Sequence, residues 1–147
     1  MAEEVIDSPV GWVAKHINSY VDTDGDRGHH FHGVNALLLT TRGRKSGKLR
    51  RTALYYGASG DDYVIVASNG GSPGHPLWYR NLSADPQVTV QVQDDIFAAI
   101  ARTAQGDERA SLWTLMTGLF PRYNEYQAKV SRQIPIVVLT RAEPRQS

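Results

Sequence analysis

The chain has 147 residues, 41% hydrophobic and 21% charged, enough for one compact domain with a sizeable core. Its 16 Lys and Arg against 15 Asp and Glu leave a formal charge of +1, too balanced for a bulk nucleic-acid binder, so no nucleic-acid partner is expected. Cysteine is absent, which excludes disulfides, thiol catalysis and Cys-ligated metals. With no long apolar run and no basic leader, a cytoplasmic location is the expectation.

Residues 1–33 read as an N-terminal helix followed by a polar loop. Ser8-Pro9 suits an N-cap and first helical residue. Val10, Val13, Ile17 and Val21 then recur at helical spacing, with Trp12 and Tyr20 beside them. This amphipathic helix is expected to pack on the domain, with a membrane surface or a partner as the alternative. The stretch "DTDGDRGHHFHG" is loop-like, and its His29, His30 and His32 stand in no recognised ligand motif, so no metal site is expected.

Residues 34–141 carry six apolar runs with strand character: "VNALLLTT", "RTALYYGA", "DDYVIVASN", "QVTVQVQ", "IFAAIARTA" and "IPIVVLT". A short helical turn is expected at Leu77 to Leu82. A helix over "DERASLWTLMTGLF" would place Leu112, Leu115, Met116 and Leu119 on one face, and Pro121 restarts the chain into a stretch bearing Tyr123 and Tyr126. This order does not fit a parallel βαβ array and favours an antiparallel barrel or roll. Residues 142–147 are a polar tail.

The first two runs flank a turn holding Arg42, Arg44, Lys45, Lys48, Arg50 and Arg51. Its glycines are spaced wrongly for a nucleotide-triphosphate loop, and Leu49 stands where a magnesium-binding hydroxyl belongs. Two readings stay open: a cradle for an anion, built from arginine forks, Ser46 and free turn amides, or an edge charged against aggregation. A second candidate is "VASNGGSPGHPLWYRNL", where Ser68, Asn69 and two glycines end a strand and aromatics follow. Tyr123 and Tyr126, three apart, share a helical face as a packing stripe or a functional pair. No Ser–His–acid set or carboxylate pair supports hydrolysis.

Three blocks, "LLLTTRGRKSGKLRRTALYY", "VIVASNGGSPGHPLWYRNLSADPQVTVQV" and "PRYNEYQ…RQIPIVVL", together resemble the deazaflavin-dependent nitroreductase family of mycobacteria and related actinobacteria. The likeness runs from about Val34 to Leu139. It implies a mainly β, α+β fold: a six-stranded antiparallel split β-barrel with a few short helices, similar to FMN-binding folds but holding coenzyme F420. By that resemblance Arg44, Lys45, Ser46, Arg50, Arg51, Thr52, Ala53, Leu54 and Tyr55 contact the cofactor. So do Val66, Ala67, Ser68, Asn69, Leu77, Trp78, Tyr79, Arg80 and Asn81. Tyr123 would lie beside cofactor and substrate, and Tyr126 and Ser68 would position substrate. The implied activity is hydride transfer from reduced F420 to a small electron-poor acceptor: a quinone, activated enone or nitroaromatic. An FMN-dependent reductase, or an F420 carrier without turnover, are the alternatives. A homodimer, and peripheral contact of the N-terminal helix with the inner face of the cell membrane, are further expectations. Asn69 and Phe120 stand where the resemblance would place a lysine and a tyrosine, and Thr52-Ala53 where it would place Asn-Pro.

Overall fold

The computed structural model describes residues 5–8, 11–26, 28–31 and 34–142. In chain order the elements are β1 (Val5–Asp7), α1 (Gly11–Asp22), β2 (His30–Phe31), β3 (Val34–Arg42), β4 (Leu49–Tyr55), β5 (Gly57–Ser59) and β6 (Asp62–Val66). A 3-10 turn (Asn69–Gly71) leads to α2 (Leu77–Ala84), β7 (Gln87–Val92), β8 (Asp95–Thr103), α3 (Gly106–Leu119), α4 (Arg122–Ala128) and β9 (Ile136–Arg141). The strands form one sheet in the order β1-β4-β3-β7-β8-β9-β6-β5, with β2 beside β3.

The six expected strands are β3, β4, β6, β7, β8 and β9, but two corrections apply. The described residues hold nine strands, because β1, β2 and β5 are too short to show an alternating pattern in the sequence. The sheet is also not wholly antiparallel: β1 runs parallel to β4, pairing Val5 with Leu49 and Asp7 with Arg51. The described part of α1 begins at Gly11, and the Ser8 N–H extends the β1 pairing to the Arg51 carbonyl at 2.9 Å. Pro9, Val10, His32 and residues 143–147 lie outside the described residues, as do the side chains of Trp12 and His30.

The continuous apolar run of β3 is explained by burial on both faces. Leu37 and Leu39 point into a cluster with Ile65, Val88, Val90, Phe97, Val137 and Leu139, which come from β6, β7, β8 and β9. β4 and β6, at opposite sides of the sheet order, also touch, so the sheet curls around this cluster. Leu38, on the opposite face, meets Val13, Ile17 and Tyr20 of α1. The expected helix face therefore packs on the sheet, although Val21 is exposed.

β6 and β9 are two-sided by the same alternation. Ile65, Val137 and Leu139 face the curled core. Val64, Val66, Ile136 and Val138 face Leu112 and Met116 of α3 and Tyr123 of α4. Leu119 departs from the expected stripe and is exposed, although its Cδ1 still lies against Gly57 at the sheet edge. No described helix is long and apolar enough to cross a membrane.

Candidate active site

A cleft of about 740 Å³ opens where β4, the end of β6, the turn after it, and helices α1, α2 and α4 converge. Of the residues singled out in the sequence, Thr52, Ala53, Leu54, Tyr55, Val66, Ser68, Asn69, Trp78, Tyr123 and Tyr126 line it. Arg44, Lys45, Ser46, Arg50, Arg51, Ala67, Leu77, Tyr79, Arg80 and Asn81 do not.

The basic residues stand beside the cleft instead, on the β3–β4 turn. Gly47 supplies that turn with a φ of +73°, a conformation that costs a side-chain-bearing residue energy. Asn81, buried in α2, fixes the turn's position: its Oδ1 accepts from the Arg44 N–H at 3.2 Å, and its Nδ2 donates to Thr41 Oγ1 at 3.2 Å. The same helix begins with Pro76 and Trp78 in the cleft wall, so one rigid element links basic turn and cleft. Not every cation on the turn is available. Arg51 holds Asp7 through two bonds of 2.6 and 3.2 Å, and Arg42 donates to the Gly47 carbonyl at 2.6 Å. Arg44, Lys45, Lys48 and Arg50 are exposed.

The floor near Ser68 owes its shape to "SNGG". Asn69, Gly70 and Gly71 take φ values of +52°, +62° and +80°, a left-handed succession suited to asparagine and glycine. At Gly71 a Cβ would sit 3.3 Å from the Tyr126 Cα, so the missing side chain lets α4 approach. The Asn69 amide donates to the Gly74 carbonyl at 3.0 Å and closes the loop.

Arg132, on the stretch leading to β9, holds this loop from behind. Its guanidinium donates to the carbonyls of Ser68 at 2.9 Å, Ser72 at 3.2 Å and Ala67 at 3.4 Å. It also reaches His75 Nδ1 at 3.1 Å. A donor there requires an unprotonated Nδ1, and burial, then the charges of Arg132 and Arg80, lower the His75 pKa.

Aromatic rings form the opposite wall. Phe120 lies 5.0 Å from Tyr55 and 4.9 Å from Tyr123 between ring centroids, and Tyr123 and Tyr126 are 6.4 Å apart. Tyr123 is only 4% exposed. Burial, followed by the neighbouring Tyr55 and Tyr126, raises its pKa far above the ordinary tyrosine value. Burial also raises that of Tyr55, with Tyr126 adding to the rise and Arg122 opposing it. These hydroxyls therefore keep their protons at neutral pH and serve as hydrogen-bond donors.

Gly70, one of the two glycines of the second candidate stretch, also lines the cleft, whereas sequence reasoning missed Ser8, Val13, His16, Ala36, Pro76 and Arg122. For His16 a signal existed: it stands three residues after Val13, hence on the packed face of α1. Its Nε2–H donates to the Gly28 carbonyl at 2.7 Å. Nothing in the sequence pointed to Arg132. The cleft thus offers flat apolar walls, neutral hydroxyl donors and, across α2, a group of exposed cations.

An F420H(2)-dependent quinone reductase of Mycobacterium tuberculosis is 39% identical over 143 residues, covering 88% of this chain and 96% of the relative. A solved F420-H2 dependent reductase is 42% identical with a TM-score of 0.66, covering 71% of this chain and 92% of that one. A structure described as a domain-swapped dimer is 38% identical with a TM-score of 0.69, covering 90% and 99%. The haem storage protein of Vibrio cholerae, 16% identical with a TM-score of 0.58 over 74% of this chain and 82% of its own, shares the fold alone. Residues 12–141 match the profile of the F420H(2)-dependent quinone reductases, and with most of its length also 39% identical to a curated member, the chain belongs to that family.

Proposed function

We propose that this protein transfers a hydride from reduced coenzyme F420 to a small electron-poor acceptor, of which a quinone is the best supported by the family. The observation that carries the reading is the convergence of Tyr55, Ser68, Trp78, Tyr123 and Tyr126 on one cleft beside exposed Arg44, Lys45 and Lys48. The donor chemistry suits the cofactor. The turn offers cations and a hydroxyl for a phosphate and carboxylates, and the cleft offers an apolar slot for a flat ring. Thr52–Tyr55, Val66 and Trp78 would hold the ring, and Arg44, Lys45, Ser46 and Lys48 the acidic tail. The curled sheet is read as a split barrel, a reading supported by the fold neighbours. When bound, the reduced cofactor supplies the hydride.

The chain's own work is binding, orientation and charge stabilisation. Tyr123 keeps its proton, so its hydroxyl donates a hydrogen bond to an acceptor oxygen as negative charge grows there. Tyr126 and Ser68 position the acceptor, and the packed rings of Phe120 and Tyr55 exclude water. A second copy of this chain is a proposed partner, supported by the solved relative described as a domain-swapped dimer.

The test is Tyr123→Phe, assayed with reduced F420 and a naphthoquinone. Loss of one donor to developing charge should lower kcat by about 100-fold, the low end of such effects. The F420 dissociation constant should stay within about twofold, because the ring of residue 123 is kept. Unchanged kcat would remove Tyr123 from the mechanism, and absence of turnover with every acceptor would leave a carrier.

A further inference from the structure

Most described arginines are engaged within the protein. Arg51, Arg102 and Arg141 hold carboxylates, and Arg42, Arg109 and Arg132 donate to backbone carbonyls. Arg122 is different. It is exposed at the start of α4, immediately before Tyr123, and lines the cleft. Among the described residues it has no hydrogen-bond or ion-pair partner. No carboxylate lines the cleft either, so Arg122 is the one permanent charge among the described lining residues.

We propose that Arg122 sets the charge preference of the acceptor site, favouring acceptors with an anionic substituent over neutral ones of the same ring system. This rests on the hydride-transfer reading and adds to it a choice among acceptors. The physical ground is simple. An unpaired guanidinium pays little desolvation when an anion arrives at the mouth, and carboxylate and sulfonate oxygens fit its planar fork. Its charge acts across the cleft wall, since it opposes the upward shift of the Tyr55 hydroxyl. No carboxylate lines the cleft, and the nearest one along α4, Glu125 three residues on, forms no ion pair with Arg122 among the described residues. Arg44, Lys45 and Lys48 of the hairpin are exposed and lie outside the cleft lining, where they can meet a different anionic group.

The experiment compares 1,4-naphthoquinone with its 2-sulfonate, reduced F420 being the donor, in the wild type, Arg122→Gln and Arg122→Glu. The ratio of kcat/KM for sulfonate over neutral quinone should fall by about five- to tenfold in Arg122→Gln, as expected for one partly screened charge pair, and further in Arg122→Glu. An unchanged ratio in both variants overturns the proposal. A second readout is independent of turnover: calorimetric titration of the protein, loaded with oxidised F420, with naphthalene-2-sulfonate. Its affinity should fall by a similar factor in Arg122→Gln. If no acceptor is reduced but this affinity falls, the activity reading fails while the role of Arg122 stands; if the affinity is equal in wild type and variant, the role of Arg122 fails.

Discussion

Arg132→Met removes the guanidinium behind the cleft loop while keeping a long apolar side chain. The 2.9 Å bond to the Ser68 carbonyl has a charged donor, and such bonds contribute about 1.5–3 kcal/mol. The bond to Ala67 is longer at 3.4 Å, but Ala67 is fully buried, so its carbonyl would be left without this donor. The two contacts to Ser72, at 3.2 Å each, face solvent and are replaceable by water. Burial already lowers the Arg132 pKa, so removing the charge recovers part of its desolvation cost. The net loss is then about 2–4 kcal/mol, a Tm fall of roughly 5–12 °C for a domain of this size. Thermal unfolding followed by circular dichroism measures it. Arg132→Lys keeps the charge but not the fork, and should recover less than half the loss. F420 affinity should fall along with Tm, because Ser68, Asn69 and Gly70 line the cleft. A Tm within 2 °C of wild type would refute the claim that these bonds shape the loop.

The remaining expectations concern charge and pH. Arg44→Ala/Lys45→Ala should weaken F420 binding by at least one charged hydrogen bond, about 1.5–3 kcal/mol, and flatten its salt dependence; unchanged binding in a fluorescence titration would leave the turn as a charged edge only. Tyr20 is fully buried, and its hydroxyl accepts from the Gln93 N–H at 2.6 Å. Burial pushes its pKa up to about 12, so the neutral form stabilises the fold fully below pH 10. That contribution, on the order of 2–3 kcal/mol, is lost as pH rises from 10 toward 12. Urea unfolding at pH 8, 10 and 11 should show the decline, and Tyr20→Phe should reduce its slope; equal stability at all three values would contradict the assignment.

The long strands were legible because burial on two faces leaves a mark. "ALLL" in β3 and "IPIVVL" before and through β9 can be apolar without interruption only if both faces are covered. The strands β1, β2 and β5 left none, since two or three residues cannot display a period. The basic turn was legible as a cluster but not in its parts. That Arg51 would be tied to Asp7, 44 residues earlier, depends on the parallel pairing of β1, which no local pattern announces. Asn81 and Arg132 were likewise invisible in their roles, since a polar residue in a helix or loop reads as solvated until its partners are placed. Ser68, Tyr123 and Tyr126 stood out as candidates in the sequence, their suggested roles came from resemblance, and the fold brings them to one cleft.

Helix α4 is seven residues long, and Tyr123 is its one buried residue among those described. The cleft's other walls belong to strands and helices whose neighbours fill the interior. This division separates two evolutionary demands. A change at exposed Arg122 alters the cleft mouth while costing the interior little, whereas Phe120 and Tyr126 also pack on the core and a change in Thr52–Tyr55 or Val66 disturbs the sheet that carries them. On the proposed reading, the choice of acceptor can therefore be retuned at the rim of this short segment without rebuilding the sheet behind it.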